Sequence, residues 1–212
     1  DGANINHDDI AASLTLVKEV VNDDGGTAVP TDWTLSADGP TPISGVNGEA
    51  VITAAGVAAG SYDLSESGLD GYAASAWTCT GGTLTGSTVA VTNGAEVVCT
   101  IVNDDIAPKL TLVKEVTNDD GGTLTPAHFP LTATGADTIT GLTGEVAVTG
   151  AVVKAGEYTL SEAGVAGYAA GDWSCTTESL DGETLTLFPG EEVTCTIVND
   201  DIAPKLTLVK EV

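Results

Sequence analysis

Short runs of alternating hydrophobic and polar residues follow one another along the chain. In residues 14–20, Leu14 and Leu16 fall on one parity and Thr15 on the other. Because successive side chains of a strand point to opposite faces, this pattern predicts a strand with one buried face.

Turn-forming sequences separate these runs. They include NDDGG at 22–26, DGPTP at 38–42, NGE at 47–49, GLDGY at 68–72 and NG at 93–94. Such spacing predicts about seven short strands before the pattern starts again, and it leaves no room for the crossover helices of an α/β fold. The chain is therefore expected to be all-β, with antiparallel, immunoglobulin-like sandwich architecture.

The pattern repeats along the chain. The sequence LTLVKEV begins at Leu14, Leu110 and Leu206, and 55 of the 96 aligned positions of the two full copies are identical. We expect the tail of a preceding repeat and a linker in residues 1–13, tandem sandwich domains in 14–109 and 110–205, and the first strand of a following repeat in 206–212. Since more than half of the positions agree, agreement at any one of them says little about function.

Three polar residues of each copy share parity with hydrophobic residues. In the first copy Lys18 follows Leu14 and Leu16, Glu66 follows Tyr62 and Leu64, and Asn103 follows Val97, Cys99 and Ile101; Lys114, Glu162 and Asn199 are their counterparts in the second copy. All six are expected to point into a hydrophobic interior. Burial without a partner would cost several kcal/mol per group, so pairing, neutralisation or chemistry is expected there.

LTLVKEV, the boxes GSYDLSE at 60–66 and GEYTLSE at 156–162, and the terminal TIVN resemble the CnaB or SpaA-type, prealbumin-like repeat domains of bacterial surface adhesins and pilins. This resemblance implies an intramolecular isopeptide bond from a first-strand Lys to a last-strand Asn, with loss of ammonia and assistance from the box Glu. Carried over, Lys18 would bond to Asn103 with Glu66 assisting, and Lys114 to Asn199 with Glu162 assisting.

Two alternatives to the isopeptide bond stay open. Each Lys could extend to solvent or pair with the Glu at a strand end. A disulfide could also replace the bond, because Cys79 and Cys99, like Cys175 and Cys195, are 20 residues apart. One disulfide per repeat is expected, which implies an oxidising, extracellular location. Zinc is the weaker interpretation, since no C-x-x-C occurs. Trp77 and Trp173 share parity with the neighbouring cysteine and should pack on the disulfide rather than form sugar platforms.

The chain is strongly acidic, with 31 Asp and Glu against 6 Lys and a net charge of -25. Such a surface repels nucleic acids and anionic membranes. No apolar run long enough for a membrane span, and no signal-peptide pattern, is present in this sequence.

Much of this charge falls in the turns. If the first and last strands run parallel, as the family fold implies, eight carboxylates gather at two poles: Asp23, Asp24, Asp104 and Asp105, and Asp119, Asp120, Asp200 and Asp201. Calcium or plain turns would both explain them, and no cofactor is required.

These features favour a structural spacer, a stalk of crosslinked repeats on an extracellular bacterial surface, with adjacent repeats of the same chain as partners. The alternatives are a filament subunit that assembles with other copies by strand exchange, and a ligand-binding adhesin module. An enzyme is not expected, because no histidine constellation, phosphate-binding loop or carboxylate pair beyond turn sequences occurs.

Overall fold

The computed structural model describes residues 10–211, and the structural statements below refer to that part of the chain. The chain folds into two compact units, and the division between them falls between Asp105 and Ile106. Apart from strands, the described residues form four three-residue 3-10 turns. No helix among them is long and apolar enough to cross a membrane.

The first unit contains ten strands. They are β1 Ala12–Val21, β2 Thr34–Asp38, β3 Ile43–Val46, β4 Ala55–Val57, β5 Gly60–Glu66, β6 Tyr72–Ala74, β7 Thr78–Thr80, β8 Thr83–Thr85, β9 Thr88–Val91 and β10 Glu96–Asp105. One sheet has the order β4-β1-β10-β6, with β7 also paired to β10, and the other has the order β3-β2-β5-β9-β8. The pair β1–β10 is parallel, whereas the other pairs are antiparallel.

The second unit contains nine strands. They are β11 Lys109–Thr117, β12 Leu131–Thr134, β13 Thr138–Gly141, β14 Ala151–Val152, β15 Gly156–Glu162, β16 Tyr168–Cys175, β17 Leu180–Asp181, β18 Thr184–Leu187 and β19 Glu192–Asp201. Its sheets have the orders β14-β11-β19-β16 and β13-β12-β15-β18-β17. Strands β11 and β19 are again parallel.

Each unit buries one hydrophobic core, formed by the inward parity of its strands. In β1 the residues Ala12, Leu14 and Leu16 are buried, whereas Ser13 and Thr15 of the other parity are half-buried. This matches the predicted alternation, and the all-β tandem architecture is confirmed. The strand count exceeds seven because the longer turns contain strands of only two or three residues.

The repeat boundaries stay a prediction. The division between the compact units falls after Asp105, whereas the second copy of the sequence begins at Leu110. Most of the predicted tail, residues 1–9, lies outside the described residues. Residues 202–211 form no strand here, so a following repeat that begins in 206–212 remains an expectation.

Candidate crosslinking site

The parallel pairing of β1 and β10 places a lysine and an asparagine side by side on the inward face. Val20 is opposite Asn103 and Lys18 is opposite Ile101, so the two polar side chains are neighbours across the strand pair. Glu66 ends β5 in the facing sheet, on the same parity as the buried Tyr62 and Leu64.

These three residues form one hydrogen-bonded group. Lys18 Nζ donates to Glu66 Oε2 at 2.5 Å, and Asn103 Nδ2 donates to Glu66 Oε1 at 2.9 Å. Lys18 is 2% exposed and Asn103 is 3% exposed, while the Glu66 side chain retains 12% exposure. Glu66 therefore bridges the two buried groups from the water-facing side.

The second unit repeats this geometry. Lys114 Nζ lies 2.5 Å from Glu162 Oε2, and Asn199 Nδ2 donates to Glu162 Oε1 at 2.7 Å. Lys114 and Asn199 are buried like their counterparts. The structure thus brings all six predicted residues together as two triads, whereas the covalent bond itself stays a prediction.

An aromatic ring below each lysine was not predicted. Lys18 Nζ lies 4.7 Å from the ring centroid of Trp33, and Lys114 Nζ lies 4.9 Å from that of Phe129. Both rings are fully buried, so they separate the lysine from solvent on one side. A ring face attracts the ammonium but cannot solvate it as water does.

Burial lowers the pKa of Lys18, and the hydrogen bond and charge of Glu66 only partly oppose this shift. The same balance lowers the pKa of Lys114. A lowered pKa means that the ammonium releases its proton more readily and becomes a nucleophilic amine. The alternative in which each lysine extends to solvent is not observed, because both lysine side chains are fully buried. The other alternative, a pair between each lysine and the glutamate that ends a strand, is observed in both units.

The asparagine carbonyls are the unusual members of the triads. Oδ1 of Asn103 and Oδ1 of Asn199 are buried and have no hydrogen-bond partner among the described residues. Reversing either side-chain amide would place this oxygen against the Glu carboxylate, so the observed orientation is the favourable one. A buried acceptor without a donor costs stability, which suits a group retained for chemistry rather than for packing.

Each unit also contains the expected disulfide. Cys79 is bonded to Cys99 and Cys175 to Cys195, in both cases across a neighbouring strand pair. Trp77 and Trp173 are buried in the same cores, as predicted, and do not form exposed platforms.

The NDDGG loop of the first unit is held by a buried carboxylate. Asp105, at the end of β10, is 4% exposed and accepts hydrogen bonds from the backbone N–H groups of Asp24, at 3.1 Å, and Gly26, at 2.6 Å. The Tyr72 hydroxyl donates to Asn22 Oδ1 and accepts from the Ala28 N–H. These roles of Asp105 and Tyr72 were not predicted from the sequence.

The second unit has the same arrangement. Asp201 accepts from the N–H groups of Asp119, Asp120 and Gly122. Burial by itself would raise the pKa of Asp201, but these backbone donors outweigh it and hold the pKa below its usual range. This buried carboxylate is thus a structural anchor for the loop.

Three of the four predicted carboxylates at each pole lie close together. The groups are Asp23, Asp104 and Asp105, and Asp119, Asp200 and Asp201, each with oxygen atoms within 4.8 Å of one another. Asp24 and Asp120 are outside these groups and contribute their backbone N–H groups instead. Partial desolvation, followed by the charges of Asp23, Asp105 and Asp24, raises the pKa of Asp104. Calcium binding stays a prediction.

Calcium is expected to stabilise the first unit if Asp23 and Asp104 provide ligands. The ion would offset their mutual repulsion, so the thermal midpoint should rise with added CaCl2 relative to NaCl of equal ionic strength. Differential scanning calorimetry measures this shift. Asp23→Asn should remove the first unit's part of this shift and leave the part from the matching group of Asp119, Asp200 and Asp201, whereas the exposed control Asp38→Asn should retain both. Equal shifts in all three proteins would contradict a site here.

Comparison with known proteins identifies a family for this sequence. Residues 9–101 and 105–197 match the family model SpaA_2, described as a prealbumin-like fold domain. No curated protein matches the chain in sequence.

Three solved structures illustrate the similarity. The Bacillus anthracis TIE protein is 16% identical over 91% of this chain and 34% of its own, with a TM-score of 0.46. The major pilin T-13 of Streptococcus pyogenes is 16% identical over 91% of this chain and 98% of its own, with a TM-score of 0.36. The pilus adhesin SpaC of Lactobacillus rhamnosus GG is 13% identical over 90% of this chain and 31% of its own, with a TM-score of 0.38. The chain spans about a third of the TIE protein and of SpaC.

These TM-scores are low, so the assignment depends on the family model. Its two matched segments cover most of the sequence, and the boundary between them lies within a few residues of the division between the two compact units. The resemblance seen in LTLVKEV and the G-x-Y-x-L-x-E boxes is therefore confirmed, and the chain belongs to the SpaA_2 family of prealbumin-like fold domains, in two consecutive copies.

Proposed function

We propose that this chain is a mechanical spacer of an extracellular bacterial surface protein, and that each repeat is closed by a Lys–Asn isopeptide bond. The observation that carries this proposal is the buried triad, in which one carboxylate bridges Lys18 of β1 and Asn103 of β10. The disulfide in each unit supports an oxidising, extracellular location. Two alternatives remain: the chain is a filament subunit that assembles by strand exchange, or it is a ligand-binding adhesin module.

The proposed reaction uses groups that are already in contact. Glu66 takes a proton from Lys18, and the neutral Nζ attacks Cγ of Asn103. As the Nζ–Cγ bond forms and the Cγ–Nδ2 bond breaks, Glu66 passes this proton to Nδ2, which leaves as ammonia. Glu66 then accepts the second proton that Nζ loses on becoming an amide, so the carboxyl group ends protonated. The contact from Asn103 Nδ2 to Glu66 Oε1 places the leaving group beside this carboxylate. The reaction occurs once in each repeat.

The proposed bond would join the first and last strands of the repeat, and this position determines how the repeat would respond to tension. Because β1 and β10 are parallel neighbours, β1 begins at one end of the pair and β10 finishes at the opposite end. Tension applied at these two ends shears the hydrogen-bonded pair. A covalent Lys18–Asn103 bond would carry that tension directly and remove residues 19–102 from its path.

Single-molecule force extension tests the proposal. The native chain is expected to show no unfolding step for either repeat. A chain carrying Asn103→Ala and Asn199→Ala retains both Lys–Glu ion pairs but lacks the electrophile, and each of its repeats should lengthen by roughly 300 Å when the disulfides are reduced. Intact disulfides should shorten each step by roughly 70 Å, since each closes a separation of 20 residues.

Lys109→Ala is the matched control for this experiment. Lys109 pairs with Glu192 at the surface, where the two side chains are 51% and 72% exposed. This variant should behave like the native chain. Full lengthening of the native repeats would refute the mechanical proposal.

A further inference from the structure

A cavity of about 600 Å³ opens on the side of the second unit. Its volume falls within the range of pockets for small organic molecules. The residues that matter for its chemistry are Glu162, Asp172, Trp173, Leu180, Glu183 and Ile197.

A β-bulge in β16 shapes one wall of this cavity. Ala170 pairs with Asn199 and Trp173 pairs with Ile197, so two residues, Gly171 and Asp172, lie opposite a single residue of β19. A bulge bends its strand and changes the direction of the side chains within it. Here it brings Asp172 to the cavity wall beside Trp173.

The cavity wall combines apolar and anionic groups. Trp173 and Ile197 are buried and Leu180 is half-buried, which provides an apolar surface. Glu162 is engaged by Lys114 and Asn199. Asp172 and Glu183 are exposed, and their carboxylates have no hydrogen bond or ion pair within residues 10–211, so both are available to a cationic ligand that enters the cavity.

We propose that this cavity binds an alkylammonium group, with the aliphatic stem along Trp173 and Leu180 and the ammonium between Asp172 and Glu183. A cation beside an aromatic wall and carboxylates is favoured by both charge and ring quadrupole. The negative net charge disfavours anions. Among the described residues, Asp172 and Glu183 belong to no group of three or more potential metal ligands with ligand atoms within 4.8 Å of one another, so a metal site of three carboxylates is not formed here.

The first repeat provides an internal comparison. The positions of Asp172 and Glu183 correspond to Ala76 and Ser87 one repeat earlier, whereas Trp173 and Leu180 correspond to Trp77 and Leu84. The apolar wall residues are thus present in both copies, but the two free carboxylates are specific to the second. Binding is expected in the second unit alone, and it does not depend on the isopeptide bond.

The test is an NMR titration of the full chain with 1,5-diaminopentane at low ionic strength. Saturable amide shifts are expected at Gly171, Asp172, Gly182 and Glu183, with none at Ala76 or Ser87. The double variant Asp172→Ala with Glu183→Ser introduces the residues of the first repeat at exposed positions. It should retain the native spectrum elsewhere and bind roughly tenfold more weakly.

Two further arms identify the source of the ammonium. 1-Pentanol has the same stem without the charge and should give much smaller shifts. A lysine-containing peptide blocked at both termini should reproduce the shifts if the natural ligand is a protein side chain; binding of the diamine alone would indicate a free polyamine. Absence of saturable shifts with both amines, or shifts that spread over all acidic residues and persist in the double variant, would overturn the proposal.

Discussion

The intact chain is expected to weigh less than its sequence by two molecules of ammonia, one for each Lys–Asn pair. The reaction proposed above removes Nδ2 of Asn103 and of Asn199 and adds nothing. Mass spectrometry of the intact, disulfide-reduced protein measures this loss directly. Fragmentation of a proteolytic digest should also give one branched peptide that contains Lys18 and Asn103.

Glu66→Gln should prevent the reaction in the first repeat, so the mass of this variant should be lower than that of its sequence by one ammonia instead of two. Glutamine retains the shape of the side chain but cannot accept the proton of Lys18 or return it to the leaving group. Lys18 would also lose its buried counter-charge, which in comparable buried pairs costs about 3–5 kcal/mol. The variant is therefore expected to lower the stability of the first repeat severely and to leave the second repeat crosslinked.

Glu19→Gln is the matched control, since Glu19 is exposed on the same strand as Lys18. It should lose two ammonia molecules, like the native chain. A folded native chain at the full mass of its sequence would mean that each triad is a static ion pair and that the disulfides are the covalent crosslinks. Loss of ammonia in a Glu66→Gln, Glu162→Gln double variant would instead show that the carboxylates are not needed.

Alternation along strands was sufficient to predict that the triad residues point inward. Lys18 and Asn103 lie in long strands whose buried parity is defined by several hydrophobic residues, so their direction follows from position alone. Glu66 ends its strand, and its partial exposure reflects that terminal position. What parity could not provide was the contact between sheets, for which the family resemblance was needed.

The roles of Asp105 and Asp201 could have been found by the same method. Asp105 shares parity with Cys99, Ile101 and Asn103, which points it inward. Its place in an acidic turn suggested a metal ligand instead, because a set of carboxylates does not reveal which one accepts backbone N–H groups. Repulsion between neighbouring aspartates was visible in the sequence, whereas the loop conformation was not.

Two other features of the structure could not be predicted from the alternation of hydrophobic and polar residues: the position of Trp33 and the cavity of the second unit. Trp33 follows a 3-10 turn and precedes β2, so no strand parity applies to it, and its position beside Lys18 depends on tertiary packing. The cavity of the second unit depends on a bulge that interrupts the pairing of β16 with β19. The sequence shows that Asp172 replaces Ala76 of the first repeat, but without the bulge it could not be inferred that Asp172 lies at the wall of a cavity.

Replacing Asp105 with alanine is expected to destabilise the first repeat by about 2–4 kcal/mol, because two backbone N–H groups, those of Asp24 and Gly26, lose their acceptor. Amide hydrogen exchange should show loss of protection at these two positions. Asp104→Ala is the control: Asp104 is exposed and surrounded by like charge, so its removal should leave stability unchanged or slightly higher. Equal losses from the two variants would contradict the anchoring role of Asp105.

In the second repeat, the loop-anchoring role of Asp201 should make the folding stability depend on pH. The pKa of Asp201 is lowered in the folded state, so its contribution is fully present above the unfolded-state value of about 3.9 and is lost as the pH falls through the lower, folded-state pKa. The contribution of Asp120 to stability changes with pH in the opposite direction. Partial desolvation, followed by the charges of neighbouring aspartates, raises the pKa of Asp120, so its protonation favours folding as the pH falls toward about 4. Chemical denaturation as a function of pH should therefore give a stability that increases on mild acidification and then decreases below about pH 4. Asp201→Asn should remove most of the decrease and should also reduce the increase, because the charge of Asp201 contributes to the raised pKa of Asp120. An unchanged profile would show that the loop is not anchored by the Asp201 carboxylate.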